Sequence, residues 1–340
     1  MKKNDDKSSD RNPKTLIEAV RYFSDLDVAH DFFVRVRWAD GVVCPQCGSH
    51  DARYLPKYRR FQCNKVHPRR QFTVKTGTVM EDSPLGLDKW AVAFWLEVNA
   101  KNSISSYEIH RALGITQKSA WFMLHRIRLA VQTGTFEKMA GIVEADETFI
   151  GGLARNMHKR ERERKITGTG STGKTAVMGL LARHNGERCS QVRATVVPNV
   201  QHQTLRDIIY QNVEAGAQLY TDAWQAYRSL DPAFLHDFVD HAECYVKGAV
   251  HTNGLENFWA LFKRCIKGTH VSIEPYHLFR YIDSESFRFN NRDFNDGRRF
   301  VLALRGMAGK RLTYKSLTGK TSLEGLAEID SDGASESLPN

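Results

Sequence analysis

The sequence predicts an α/β protein, a mixed sheet flanked by helices, preceded by a small cysteine-bearing β module and a pair of short helices. Three observations carry this. The strand-like runs GIVEADETFIGG, KTAVMGLLAR, QVRATVV and QLYTDAW are interrupted by the helical QTLRDIIYQNVEAG. Cys44 and Cys47 lie in a stretch, Val42 to Val79, of short strand-like pieces separated by Pro, Gly and Asn. Finally, SISSYEIHRALGITQKSAWFMLHRIRLAV divides at Gly114 into two helices, the second capped by Thr116.

From the amino end, MKKNDDKSSDRNPK is polar with no apolar core, so it reads as a tail over 1–14 and not as a secretory leader. A short helical segment over 15–41 follows, in which Leu16, Val20 and Phe23 recur at helical spacing. The β module spans 42–80, the helix pair 84–135 and the α/β domain 141–300, which turns helical from Asn253. A carboxyl-terminal extension over 301–318 leads into a second, acidic tail over 319–340.

Lys and Arg number 49 against 39 Asp and Glu in 340 residues, a net charge of +10 that calls for a polyanionic partner. A membrane span needs roughly 18 to 20 apolar residues, and the most apolar stretch, WAVAFWLEV from Trp90, is broken at Glu97. No span is expected and the cytosol is the expected compartment, while charge alone does not choose between nucleic acid and an anionic membrane surface as the partner. Six cysteines are too few for a disulfide scaffold in so long a chain, so a close pair is read as metal ligands.

Cys44-Pro-Gln-Cys47 followed by Gly48 is a knuckle for one tetrahedral zinc ion, with Cys63 and His67 as the second pair. The alternative is a set of free core cysteines. Cys189, Cys244 and Cys265 stand alone, and histidines 125, 202, 236, 241, 270 and 277 have no ligand spacing among themselves. In the second helix of the pair, Ala120, Leu124, Ile127 and Val131 form an apolar stripe and leave Lys118, Arg126 and Arg128 on the other side, facing a phosphate backbone.

Three carboxylates stand out. Asp146 lies in VEADETFIGG, where alternation puts Glu144 and Asp146 on one face ahead of Gly151-Gly152. Asp222 follows an apolar strand in LYTDAW. Glu256 opens HTNGLENFWALFKR, in which Leu255, Phe258, Trp259 and Phe262 form a buried stripe and Asn253, Glu256 and Lys263 lie opposite. Such acids can hold a pair of divalent ions about 4 Å apart for phosphoryl transfer; among 39 acidic residues they can also be ordinary solvated charges. One motif points elsewhere: Gly168 to Thr175 fits GxxxxGK[ST]. The polar HKRERERK precedes it and a β-rich run follows, so it reads as a loop flanked by Lys159, Arg160, Arg162, Arg164 and Lys165, lying on DNA or simply solvated, and no nucleotide is expected.

Taken together, CPQCGS, QFTVKTGTVMED, KWAVAFWL, VEADETFIGG, GKTAVMGLLAR, YTDAWQAY, VHTNGLENFWALFKRCIKGTH and HLFRYIDSESFRFNNR resemble the zinc-ribbon DDE transposases of bacterial insertion sequences, the ISXO2-like group. The resemblance implies a ribonuclease H-like catalytic domain behind a zinc ribbon and a helix-turn-helix. It implies Mg²⁺ or Mn²⁺ on Asp146, Asp222 and Glu256, with Lys263 and Arg264 on DNA. Asn253 is the alternative third ligand, and His67 stands where the family's ribbon usually has a second CxxC. The implied activity is cleavage at terminal inverted repeats and strand transfer into target DNA by a dimer or larger synapse. A DNA-binding regulator, or an inactive domesticated relative, is the alternative.

Overall fold

The computed structural model of the chain describes residues 12–132, 137–151, 159–160, 163, 173–184, 186, 189–222, 234–239 and 250–319. Helices α1 (Leu16–Phe23) and α2 (Leu26–Arg37) are each started by a side chain: Thr15 accepts from the Glu18 N–H, and Asp25 from those of Asp27 and Val28. Their inner faces bury Phe23, Phe32 and Phe33, with Phe23 and Phe32 edge to face at 5.0 Å.

The cysteine module is an antiparallel sheet in the order β1 (Ala52–Leu55), β2 (Arg60–Cys63), β3 (Gln71–Phe72). It is too small to stabilise itself by burial alone. Phe61 and Phe72 therefore pack on Trp38, the residue closing α2, at 5.6 and 6.0 Å between rings. Arg37 donates to the Val74 carbonyl at 2.7 Å, docking the module on α2.

Helices α3 (Leu87–Asn99), α4 (Ser106–Leu113) and α5 (Gln117–Ala130) follow. Ser105 and Glu108 close a capping box on α4, Gly114 ends it in the left-handed region at φ +60°, and Thr116 caps α5 as its sequence predicts.

In the remainder, β4 (Ile142–Ile150), β5 (Thr175–Ala182), β6 (Gln191–Val197), α6 (His202–Asn212), β7 (Gln218–Asp222), β8 (Leu235–Val239), α7 (Asn253–Cys265), α8 (Leu278–Asn290), α9 (Asp296–Arg305) and α10 (Tyr314–Thr318) succeed one another. Among the described residues the sheet runs β6-β5-β4-β7-β8, with β4, β5 and β6 antiparallel and β4, β7 and β8 parallel. Alternation along the strands builds two faces. Val143, Ala145, Met178 and Leu180 pack with Leu205 and Ile209 of α6. Ile150, Val177 and Leu181 pack with Leu255, Phe258, Trp259 and Phe262 of α7 and with Leu278, Ile282 and Phe289 of α8.

A second core joins α1 to α5 with Phe300, Ala303 and Leu304 of α9, so residues from both ends of the chain meet around α3. Glu97 on α3 is fully buried and accepts from Arg128 of α5 at 2.9 Å and Ser284 of α8 at 2.8 Å. This polar junction couples the helical half to the sheet half. Thr175 opens strand β5, so the residues after Lys174 supply no helix amino terminus of the kind a phosphate-cradling loop needs.

Candidate active site and metal centre

Strands β4 and β7 run parallel and pair Glu144 with Tyr220. The pairing of the two strands ends there; Asp146 lies two residues further along β4, and Asp222, the last residue of β7, two residues beyond Tyr220. Alternation turns Glu144 and Asp146 away from the side that buries Val143 and Ala145 and toward α7, whose Trp259 reaches Asp146. Helix α7 carries Glu256 exposed in its first turn, at the edge of its buried stripe and one turn before Trp259.

Asp146 senses both neighbours. Burial, then the charge of Asp222, push its carboxyl up to about 6, with Glu256 adding to the rise; the Glu147 N–H and the Trp259 indole oppose it. A half-buried carboxylate pressed by two others is the electrostatic setting that a divalent cation relieves, and carboxylate oxygen is the donor that Mg²⁺ and Mn²⁺ prefer. Among the described residues, the groups of three or more metal-ligand atoms lying within 4.8 Å of one another belong to the cysteine module; Asp146, Asp222 and Glu256 do not close to that spacing.

Two features at Asp146 have no counterpart in the motif reading. The Trp259 indole N–H donates to Asp146 Oδ2 at 3.0 Å. It reaches there because Gly179, the register partner of Asp146 on β5, has no side chain: a Cβ would stand 2.5 Å from Trp259 Cζ2. The sequence signal was a glycine inside an apolar strand, which marks close approach. Glu147, on the opposite side of β4, is pushed up to about 8 by burial and by Asp146 and Asp222.

In the β module, Cys44, Cys47, Cys63 and His67 come together, with Cys44 Sγ 3.5 Å from His67 Nε2 and Cys47 Sγ 3.7 Å from Cys63 Sγ. His67 Nδ1 donates to the Pro68 carbonyl at 2.7 Å, which leaves Nε2 as the lone-pair nitrogen aimed at the thiols. Burial raises the Cys44 thiol, but the N–H groups of Gln46 and Cys47 and the neighbouring thiols outweigh it and bring the value down to about 7. Three sulfurs and one imidazole at this spacing fit a structural zinc ion.

The expected DNA contacts divide. Lys263 and Arg264 are exposed at the end of α7 and, with Lys267, line an open hollow of about 440 Å³. Lys118 is exposed on α5, its ammonium 4.5 Å above the Tyr314 ring. Arg126 and Arg128 do not face outward, which corrects their expected position. Arg128 is 1% exposed, paired with Glu97 and stacked on Tyr281 at 4.0 Å. Arg126 is buried and donates to the Leu312 carbonyl. The cause is that α5 is covered on a second side, by α8 and the carboxyl-terminal segment, so its polar stripe is interior.

The same covering gathers His125, His270 and His277 about Trp121 and Tyr281, with His125 and His277 4.6 Å apart between ring centroids. A larger cleft, about 1210 Å³ among the described residues, lies along β6 against α8 and α9, and none of the three acids lines it. Gly152, most of the basic run before Gly168, residues 168–172, His241, Cys244 and the two expected tails up to residue 11 and from residue 320 lie outside the described residues.

Comparison with known proteins agrees with this architecture. An ISXO2-like transposase domain matches residues 138–290 and a transposase zinc-ribbon domain matches residues 25–65. An uncharacterized protein in transposable element ISH50 of Halobacterium salinarum is 27% identical over 274 residues, 76% of this chain and 89% of that protein. An uncharacterized transposase-like protein of Haemophilus influenzae is 34% identical over 104 residues, 30% of this chain and 84% of that protein. With a transposase zinc-ribbon match followed by an ISXO2-like transposase-domain match, the chain belongs to the zinc-ribbon, ISXO2-like family of insertion-sequence transposases.

Proposed function

We propose that the protein cuts DNA at the ends of its insertion sequence and joins those ends to target DNA, using Asp146, Asp222 and Glu256 as ligands for Mg²⁺ or Mn²⁺. The observation that supports this is the setting of Asp146 on β4: Trp259 of α7 donates to it, and the charges of Asp222 and Glu256 both raise its carboxyl, as expected of three acids around one cleft. A mixed sheet flanked by helices, with Asp146 midway along β4 and Asp222 ending the neighbouring β7, supports a ribonuclease H-like catalytic domain.

Bound there, the ions would activate water or a 3′-hydroxyl and support the leaving oxygen of the phosphodiester. The protein's own residues prepare that place. Trp259 orients Asp146 through its indole N–H, and the hollow formed by Lys263, Arg264 and Lys267 holds backbone phosphate near the acids. Helices α4 and α5 act as a helix-turn-helix, with Lys118 on phosphate, and together with the zinc-loaded ribbon they read the terminal inverted repeats. No nucleotide is consumed. Two ends must meet at one target, so the working form is a dimer or larger synapse, acting in the bacterial cytoplasm where the chromosome lies. No helix among the described residues is long and apolar enough to cross a membrane.

The test is cleavage of labelled duplex carrying the element end, with Mg²⁺, with Mn²⁺ and with EDTA, alongside Asp222→Asn. Metal-dependent cutting at the boundary that the variant lacks supports the proposal. Specific binding without cutting leaves a DNA-binding regulator.

A further inference from the structure

Glu144 shares the strand face of Asp146 and lies two residues before it, yet its carboxylate is engaged elsewhere. It is 1% exposed. Its Oε1 accepts from Arg183 Nε at 2.7 Å, and its Oε2 accepts from the backbone N–H of Leu255 at 3.0 Å. Leu255 is in the first turn of α7, where N–H groups have no intrahelical partner, and Thr252, at the capping position, makes no side-chain cap. The helix carrying Glu256 is therefore capped by a carboxylate from a strand 111 residues away in sequence.

The approach requires Gly254, where a Cβ would lie 2.8 Å from Glu144 Oε2. Arg183, just past the end of β5, completes the clamp: it also donates to the His251 carbonyl at 2.6 Å and to His251 Nδ1 at 2.8 Å, holding the segment that leads into α7. The pair places negative charge at the positive end of the helix dipole while Arg183 keeps that charge from adding to the acid cluster.

We propose that Glu144 and Arg183 are positioning residues that fix the first turn of α7, and with it Glu256, against Asp146 on β4. This rests on the reading of Asp146, Asp222 and Glu256 as one cation site. It assigns Glu144 no ligand role, since both of its oxygens are already bonded to groups that orient the helix.

The experiment is Mn²⁺ titration of the full-length protein without DNA, by calorimetry, for wild type, Glu144→Gln, Glu144→Ala, Arg183→Gln and Asp146→Asn, with zinc content and DNA binding measured in parallel. Outer-shell partners of ligands typically cost 10- to 100-fold in metal affinity when removed. Glu144→Ala is expected to weaken Mn²⁺ about tenfold, Glu144→Gln less because the amide oxygen still accepts from Leu255, and Arg183→Gln to weaken it as well, with zinc and DNA binding unchanged. Unchanged Mn²⁺ affinity in folded Glu144 variants, or tighter binding in Arg183→Gln as expected of a freed ligand, overturns the positioning role. If Glu144→Ala does not fold, Gly254→Ala tests the same contact, with the same two outcomes. Wild-type Mn²⁺ binding by Asp146→Asn overturns the cation site itself and is read separately.

Discussion

The indole N–H of Trp259 lies 3.0 Å from Asp146 Oδ2, so the helix that presents Glu256 is hydrogen-bonded to the strand that presents Asp146. The bond can be removed without removing the packing. Trp259→Phe keeps a ring in contact with Gly179 and deletes the donor, which costs roughly 1 kcal/mol of stability. Cleavage should fall about tenfold, as expected when an outer-shell partner is lost, with DNA affinity unchanged. Thermal melts, band shifts and single-turnover cleavage measure the three quantities.

Arg128 and Lys118, both on α5, should behave oppositely. Arg128→Met leaves Glu97 buried and uncompensated and should destabilise the fold by about 3 to 5 kcal/mol, while the folded fraction binds DNA normally. Lys118→Ala should leave stability unchanged and weaken binding at all sequences, with a salt slope smaller by about one. Denaturant melts and affinity measured against salt separate the two.

The succession of β4, β5, β6, α6 and β7 along the chain, the strand carrying Asp146, the strand ending at Asp222, the amphipathic α7 and the Cys44, Cys47, Cys63, His67 set were legible, because each depends on a local period or spacing. What α5 packs against was not. Its apolar stripe is real, but Arg128 and His125 on the other side meet Glu97, Tyr281 and His277, whose approach is decided by tertiary contacts between distant segments. The second roles of Glu144 and Trp259 were hidden for the same reason: an acid and an aromatic ring look alike in sequence whether they pack or orient. Strand β8 and helices α9 and α10 are short, and their patterns did not stand out.

Acid and base should destabilise the protein through different groups. Burial, then nearby guanidinium groups, hold His270 down at about 3 and His277 at about 4, below the 6.5 of a free imidazole. Below pH 6.5 the unfolded chain takes up protons that the folded one refuses, so stability falls as pH drops from 6.5 toward 4. His277→Gln should lose less melting temperature than wild type between pH 7 and pH 5. Glu147 has the reverse sign. Its carboxyl is held up at about 8, so the folded state keeps a proton the unfolded state has lost above 4.5, and stability falls as pH rises from 4.5 to 8. Glu147→Gln should melt higher than wild type at pH 9, with that advantage shrinking toward pH 5.

Zinc should be structural. Wild type should carry one zinc per chain by elemental analysis, Cys44→Ser and Cys63→Ser should lose it with the ribbon's order, and His67→Cys should retain it, since zinc accepts either donor. End-specific DNA binding should fall in the two serine variants. Unaltered specific binding in a zinc-free Cys44→Ser protein would remove the ribbon from end recognition.

The most direct test of the central claim is cleavage of the element end by Asp146→Asn, Asp222→Asn and Glu256→Gln, each beside wild type and with DNA binding measured on the same preparations. All three should lose cleavage while binding the end with wild-type affinity, because they remove ligands and leave the phosphate contacts intact. Full cleavage by Glu256→Gln alone would move the third role to Asn253, and full cleavage by Asp146→Asn or Asp222→Asn would contradict the account.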